Sequence, residues 1–186
     1  MGAIAAGCQT QPNDASPWNN APLAPLPNNQ YLVRVNRVVS GHTIEVQSTT
    51  NALNQTIRLI GIQAPDRSQT PWGEDSQAYL ETLLLGQTVQ LSFGSRGSDE
   101  HPNAGMESET IDDYGRQWAY VWFNDQLVNQ QLLADGMVLL EERSPHLHYG
   151  QQFSHAQHRA RILGLGLWNP ENPMRQTPRE FRQHQN

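Results

Sequence analysis

Apolar and polar residues alternate along Y-L-V-R-V-N-R-V-V, and this period of two predicts a strand from Tyr31 to Val39. Ser40-Gly41-His42 reads as a tight turn. Thr43 to Gln47 and Gln55 to Ile62 read as a second and a third strand, joined across the Asn- and Thr-rich run 48 to 54 as a hairpin. The period then changes. Thr70 as N-cap, Pro71 at the first helical position and Glu74 and Asp75 in the first turn predict a helix whose apolar face is Tyr79, Leu80, Leu83 and Leu84, ended by Gly86. Gln87 to Phe93 predicts a fourth strand and Q-W-A-Y-V-W-F, after Arg116, a fifth. Leu127 to Ala134 predicts a short helix stopped by Gly136, Met137 to Leu140 an extra short strand, and Phe153, Ala156, Ala160 and Leu163 one side of a third helix.

Three consecutive strands suggest a meander. Five short strands with about three helices attached, rather than alternating β and α units, imply a mainly β, α+β domain built on a small Greek-key barrel, for which the five-stranded OB-fold is the natural candidate. With 186 residues, 37% hydrophobic content and five Trp, the chain buries one core rather than two. Three regions are expected: a Pro- and Asn-rich tether over 1–30, the barrel domain over 31–168 and a polar tail over 169–186. No stretch is long enough to span a membrane.

Charge and cysteine usage narrow the function. Eighteen acids against twelve cations, all of them Arg, leave a formal charge of −6, which disfavours non-specific adhesion to nucleic acid and makes any such contact local. The single cysteine excludes an internal disulfide framework. It stands at Cys8 in A-A-G-C, as in a bacterial lipobox, although the basic and long apolar regions of a signal peptide are missing. That motif with the Pro-rich spacer implies an exported protein, lipid-anchored at Cys8; an ordinary N-terminal tail is the plain alternative.

The stretch T-I-R-L-I-G-I-Q-A-P-D, 56 to 66, carries the first candidate chemistry. Pro65 lacks a ladder donor and holds Ala64 extended, so the strand stops near Gln63 and Asp66 lies just past its end. Arg58 sits among apolar strand residues. A guanidinium there needs either a structural carboxylate partner or an anion site. A second arginine, Arg116, opens the next strand from a Y-G-R turn, and two such forks closing on one phosphate would stabilise the charge that grows on its non-bridging oxygens during phosphodiester cleavage. Asp66 would orient or deprotonate the attacking water.

R-L-I-G-I-Q-A-P-D, the P-W-G helix, D-D-Y-G-R, L-V-N-Q-Q-L-L-A-D-G and the final G-L-W occur in an order that resembles the thermonuclease family, typified by staphylococcal nuclease, over about residues 31 to 168. The resemblance implies an OB-fold barrel and calcium-dependent hydrolysis of DNA and RNA. It matches Arg58 and Arg116 to the two catalytic phosphate-binding arginines and Asp66 to the catalytic glutamate. Two positions depart from it. His42 stands where the family has a metal-binding aspartate, and Gln63 where it has a second, so the calcium site reads as degenerate.

Further candidates each carry a plainer alternative. His42 titrates near neutrality and could serve as general base or acid, or be a tolerated turn residue. His146, His148, His155 and His158 include an i, i+3 pair suited to a transition metal, or are a solvated face. The acidic loop 94 to 113 could replace the metal site, or be solvated. Tyr114 and Tyr149 could stack on a base, or pack. Two functions follow: a nuclease with weakened or lost calcium dependence, or an inactive OB-fold module that binds single-stranded nucleic acid or a protein partner at a membrane surface.

Overall fold

A computed structural model describes residues 30–48, 54–93, 111–141, 143–144 and 147–185. Five strands form the barrel: β1 (Gln30–Ser40), β2 (Thr43–Ser48), β3 (Asn54–Leu59), β5 (Thr88–Phe93) and β6 (Gln117–Phe123). Their order is β3-β2-β1-β5-β6, and a parallel pairing of β3 with β6 closes the ring. This is the OB-fold barrel. β1 pairs with β5 over Gln30 to Arg34 and with β2 over Val33 to Ser40, its register slipping between Val35 and Arg37 and again between Val38 and Ser40. Such bulges bend a long strand, so that one strand serves both sides of a closed barrel. Val35, Ile44, Ile57, Leu59, Leu91, Ala119 and Val121 fill the interior and are essentially inaccessible.

The third predicted strand is two elements rather than one. β3 ends at Leu59, the chain turns at Ile60 and Gly61, and β4 (Ile62–Gln63) leaves the barrel to pair with β8 (Leu139–Leu140). Gly61 makes the break: its φ is +77°, and an added Cβ would lie 2.6 Å from Leu147 Cδ1 and 2.7 Å from Phe153 Cε2. Asn129 holds the other side of the break, its Nδ2 donating to Ile60 O at 2.9 Å while its Oδ1 accepts from Val121 N at 3.0 Å.

Helix α1 (Trp72–Leu84) starts one residue later than the sequence pattern predicts, with Pro71 as its N-cap and no side-chain cap from Thr70. Gly41 fits beneath it, since a Cβ there would stand 1.8 Å from Ser76 Oγ. Asn124 and Asp125, both with positive φ, turn β6 into β7 (Gln126–Leu127). α2 (Val128–Ala134) and α3 (Gly150–Leu163) pack together, and α3 ends at Gly164 in the left-handed conformation.

A further helix, α4 (Pro178–Gln185), lies in the segment expected as a polar tail, making four α-helices among the described residues against about three predicted. Thr177 and Glu180 form a reciprocal cap: Thr177 N donates to Glu180 Oε2 at 2.7 Å and Glu180 N to Thr177 Oγ1 at 3.3 Å. The segment before α4 lies against the loop after β4 and the start of α1, with Gln69 Nε2 donating to Gln176 O and Trp72 Nε1 to Asn172 O.

Candidate functional site

Arg58 lies on β3, opposite Thr43 of β2 on one side and Trp118 of β6 on the other. Barrel closure therefore seals it between two strands, and only 5% of it is accessible. Its guanidinium lies over Trp118, 5.4 Å from the ring centroid. Nη2 donates to Glu141 Oε2 at 2.9 Å, whereas Nε and Nη1 are buried with no hydrogen-bond partner. Burial pushes the Arg58 pKa down to about 10, with Glu141 raising it and the nearby Arg116 charge lowering it further. Thr43 Oγ1 and Gln117 Oε1 are also buried without partners. The unpartnered Arg58 donors match an anion with several acceptor oxygens.

Arg116 is held by the turn that precedes β6. Asp112 accepts at Oδ1 from Tyr114 N (2.9 Å) and Arg116 N (3.0 Å), and at Oδ2 from Arg116 Nε (2.7 Å), while Gly115, at φ +75°, closes the turn. Burial opposes the Asp112 charge, but the Arg116 backbone and guanidinium hold its carboxyl below the usual range. Nη1 and Nη2 of Arg116 have no partner among the described residues. The two arginines thus stand close enough for the Arg116 charge to act on Arg58, each with unpartnered donors among the described residues.

Asp66 follows Pro65 as the sequence predicts, but its carboxylate faces a different neighbour. Oδ1 accepts from Ser68 Oγ (2.7 Å) and Ser68 N (3.1 Å), bonds that hold its pKa below the ordinary value, and the cation that acts on it is Arg182 of α4. His42, in the turn between β1 and β2, accepts Ala64 N–H at Nδ1 over 2.9 Å. Its neutral ring then carries the proton on Nε2, so it is a donor there and could act as a base only after giving up the Ala64 bond. Gln63 is the half-buried end of β4, paired with Leu139.

The remaining candidates are scattered. Tyr114 is 84% exposed with the Arg116 guanidinium 5.1 Å from its ring centroid. Tyr149 packs edge-on against Tyr120 (4.8 Å) and Trp122 (6.0 Å). His148 donates its backbone N–H to Tyr120 Oη, and His148, His155 and His158 are exposed. His146, Cys8 and most of the acidic loop lie outside the described residues. Among the described residues no group of three or more His, Cys, Asp or Glu could hold a metal ion. Glu141, Trp118 and the structural part of Asp112 had escaped the sequence reading. An acid straight after the apolar pair Leu139-Leu140 was the one available signal for Glu141, and the structural partner considered for Arg58 is this residue.

The staphylococcal nuclease homologue family matches residues 56–170 of this sequence. The chain belongs to that family. It is 25% identical to the thermonuclease of Staphylococcus hyicus over 161 residues, covering 84% of this chain and 85% of that protein. Against the thermonuclease of Staphylococcus intermedius it is 28% identical, covering 74% and 75%. Against an uncharacterized endonuclease of Escherichia coli O157:H7 it is 30% identical, covering 76% and 79%.

Proposed function

We propose that this protein hydrolyses phosphodiester bonds of DNA or RNA, with Arg58 and Arg116 holding the scissile phosphate between them. The observation that carries this reading is the proximity of two guanidiniums, that of Arg58 with buried donors lacking partners and that of Arg116 with Nη1 and Nη2 unpartnered among the described residues. Like charges held together in a partly desolvated site favour a phosphate that takes bidentate bonds from both, and such fixed donors cost no reorganisation as charge develops. Family membership and nuclease relatives support the same reading. Asp66 takes the position that the resemblance matches to the family's catalytic glutamate.

His42 and Gln63 do not fit calcium. A hard dication wants several oxygen ligands, and here one ring has its Nδ1 lone pair engaged by Ala64 and the other position is an amide. Hydrolysis is therefore slow and largely indifferent to calcium, and phosphate binding outlasts it. The test is breakdown of plasmid and single-stranded DNA with calcium, manganese, zinc or chelator, beside calcium titration of the parent and of His42→Asp with Gln63→Asp. Tight calcium binding by the parent with brisk cleavage only in its presence overturns the reading; a calcium dependence created by the double change supports it. Binding of single-stranded DNA with no hydrolysis under any condition would instead make the protein an inactive binding module.

For location, A-A-G-C and the Pro-rich spacer support a protein outside the cytoplasm, tethered by lipid on Cys8. Mass spectrometry of the native protein checks it: an unmodified, uncleaved N-terminus in a cytoplasmic fraction refutes it.

A further inference from the structure

We propose that Glu141, rather than Asp66, is the carboxylate that takes the proton from the attacking water. This rests on the nuclease reading above and concerns the same site.

Glu141 is a built part of that site. Its backbone N–H donates to Gly61 O at 2.9 Å, its carbonyl accepts from Ser144 N at 2.9 Å, and Ser144 Oγ accepts from Gly61 N at 2.9 Å. These bonds fasten the turn after β8 to the break between β3 and β4, three residues from Arg58. From there its carboxylate reaches the Arg58 guanidinium at 2.9 Å while 32% of the side chain stays open to solvent. Asp66 lacks this placement, since one oxygen is spent on Ser68 and Arg182, not either clamp arginine, is the cation acting on it.

The guanidinium decides what the pair can do. Nη2 carries two hydrogens and Glu141 takes one, so whichever it takes, an edge of the fork keeps donors without a hydrogen-bond partner, which a phosphate reaches once the side chains that cover Nε and Nη1 move aside. A phosphate on that edge and the carboxylate on the other would share one cation, and a water between them would donate to Glu141 and face phosphorus. In the step, water gives one proton to Glu141 as its oxygen bonds to phosphorus. The bond from phosphorus to the bridging oxygen breaks, that oxygen keeping the electron pair and taking a proton from solvent, and Glu141 then returns its proton to solvent. Water and phosphodiester become phosphomonoester and alcohol.

A carboxylate beside the clamp also repels the phosphate it serves. Removing its charge should therefore slow the chemistry while tightening the complex, a split that loss of a merely structural ion pair would not produce. The experiment measures kcat and KM on a single-stranded oligonucleotide, and affinity for a nucleoside 3′,5′-bisphosphate, for the parent, Glu141→Gln, Asp66→Asn and Arg58→Ala. Glu141→Gln is expected to lower kcat about 100-fold or more, with KM and bisphosphate Kd unchanged or lower, and to lose more rate than Asp66→Asn. A raised KM at parental kcat overturns the proposal, as does a loss confined to Asp66→Asn. Arg58→Ala separates the two readings: if the parent cleaves and Arg58→Ala cleaves equally well, the clamp is wrong, whereas if Arg58→Ala is dead and Glu141→Gln is fully active, only the proposal made here is. Should Glu141→Gln fail to show a cooperative melt, Glu141→Asp, which keeps the charge but withdraws it by one methylene, is judged by the same kcat and KM criteria.

Discussion

Replacing Arg58 with methionine should stabilise the fold while removing its phosphate site. Burial moves the guanidinium pKa well below its ordinary value, to about 10, and at about 1.4 kcal/mol per pKa step this lowers the stability of the charged folded state by about 3 kcal/mol. A methionine at this position would keep most of the side chain's length, fill the slot between Thr43 and Trp118, and remove two buried donors that have no partner. Against this stand the lost contact with Trp118, about 0.5–2 kcal/mol, and an unpaired Glu141, whose 32% exposure keeps that term small. The net gain should be about 1–3 kcal/mol. The sign with pH follows from the direction of the shift: the unfolded chain holds this proton more tightly, so the parent's penalty is complete below about pH 10 and is withdrawn as pH rises above it. Urea unfolding followed by Trp fluorescence should show a gap between variant and parent that is flat from about pH 6 to 9 and narrows above about pH 10. A nucleoside 3′,5′-bisphosphate should raise the parent's Tm and leave the variant's unchanged. If Arg58→Met proves less stable than the parent at neutral pH, Arg58 is a net structural ion pair and the account of a cation buried for function fails.

Other perturbations test the frame around the site. Gly61→Ala meets Leu147 Cδ1 at 2.6 Å with φ at +77°, so a loss of about 2–4 kcal/mol is expected in denaturant unfolding; parental stability would show that the break between β3 and β4 is soft. Asn129→Ala strips partners from Val121 N and Ile60 O, both buried, and should lower the urea midpoint by the equivalent of about 2–5 kcal/mol with m unchanged. For Asp112→Asn a loss of about 1–3 kcal/mol is expected at pH 7. Because the folded pKa of Asp112 lies below 3.8, the parent's advantage is full above that value and disappears as pH falls through the lower folded one, which acid titration of the two unfolding curves checks.

Much of the molecule is written locally. Alternation in Y-L-V-R-V, the apolar face of Tyr79, Leu80, Leu83 and Leu84, and the turn residues at Gly41, Asn124-Asp125 and Gly164 place strands, helices and turns, because burial on one face and positive φ act within a few residues. The turn D-D-Y-G-R is local too, with every bond to the Asp112 carboxylate among the described residues coming from within four residues. The start of α4 is legible as well: T-P-R-E is a capping box, set among polar residues with no apolar stripe. Gly61 was visible as a glycine in a strand pattern, but the side chains that forbid a Cβ there, Leu147 and Phe153, come from the other end of the chain. The partner of Arg58 belongs to the same class. Glu141 is 83 residues away, and no periodicity or motif links the two. Only closure of β3 on β6, and the capture of β8 by β4, brings that carboxylate to the guanidinium while turning Asp66 toward Ser68 and the helix carrying Arg182. Residue types and spacing determine which charges a chain can offer. Which of them meet depends on strand pairing between distant segments, where the loss of chain entropy on closure is offset by burial of the whole core rather than by any local preference.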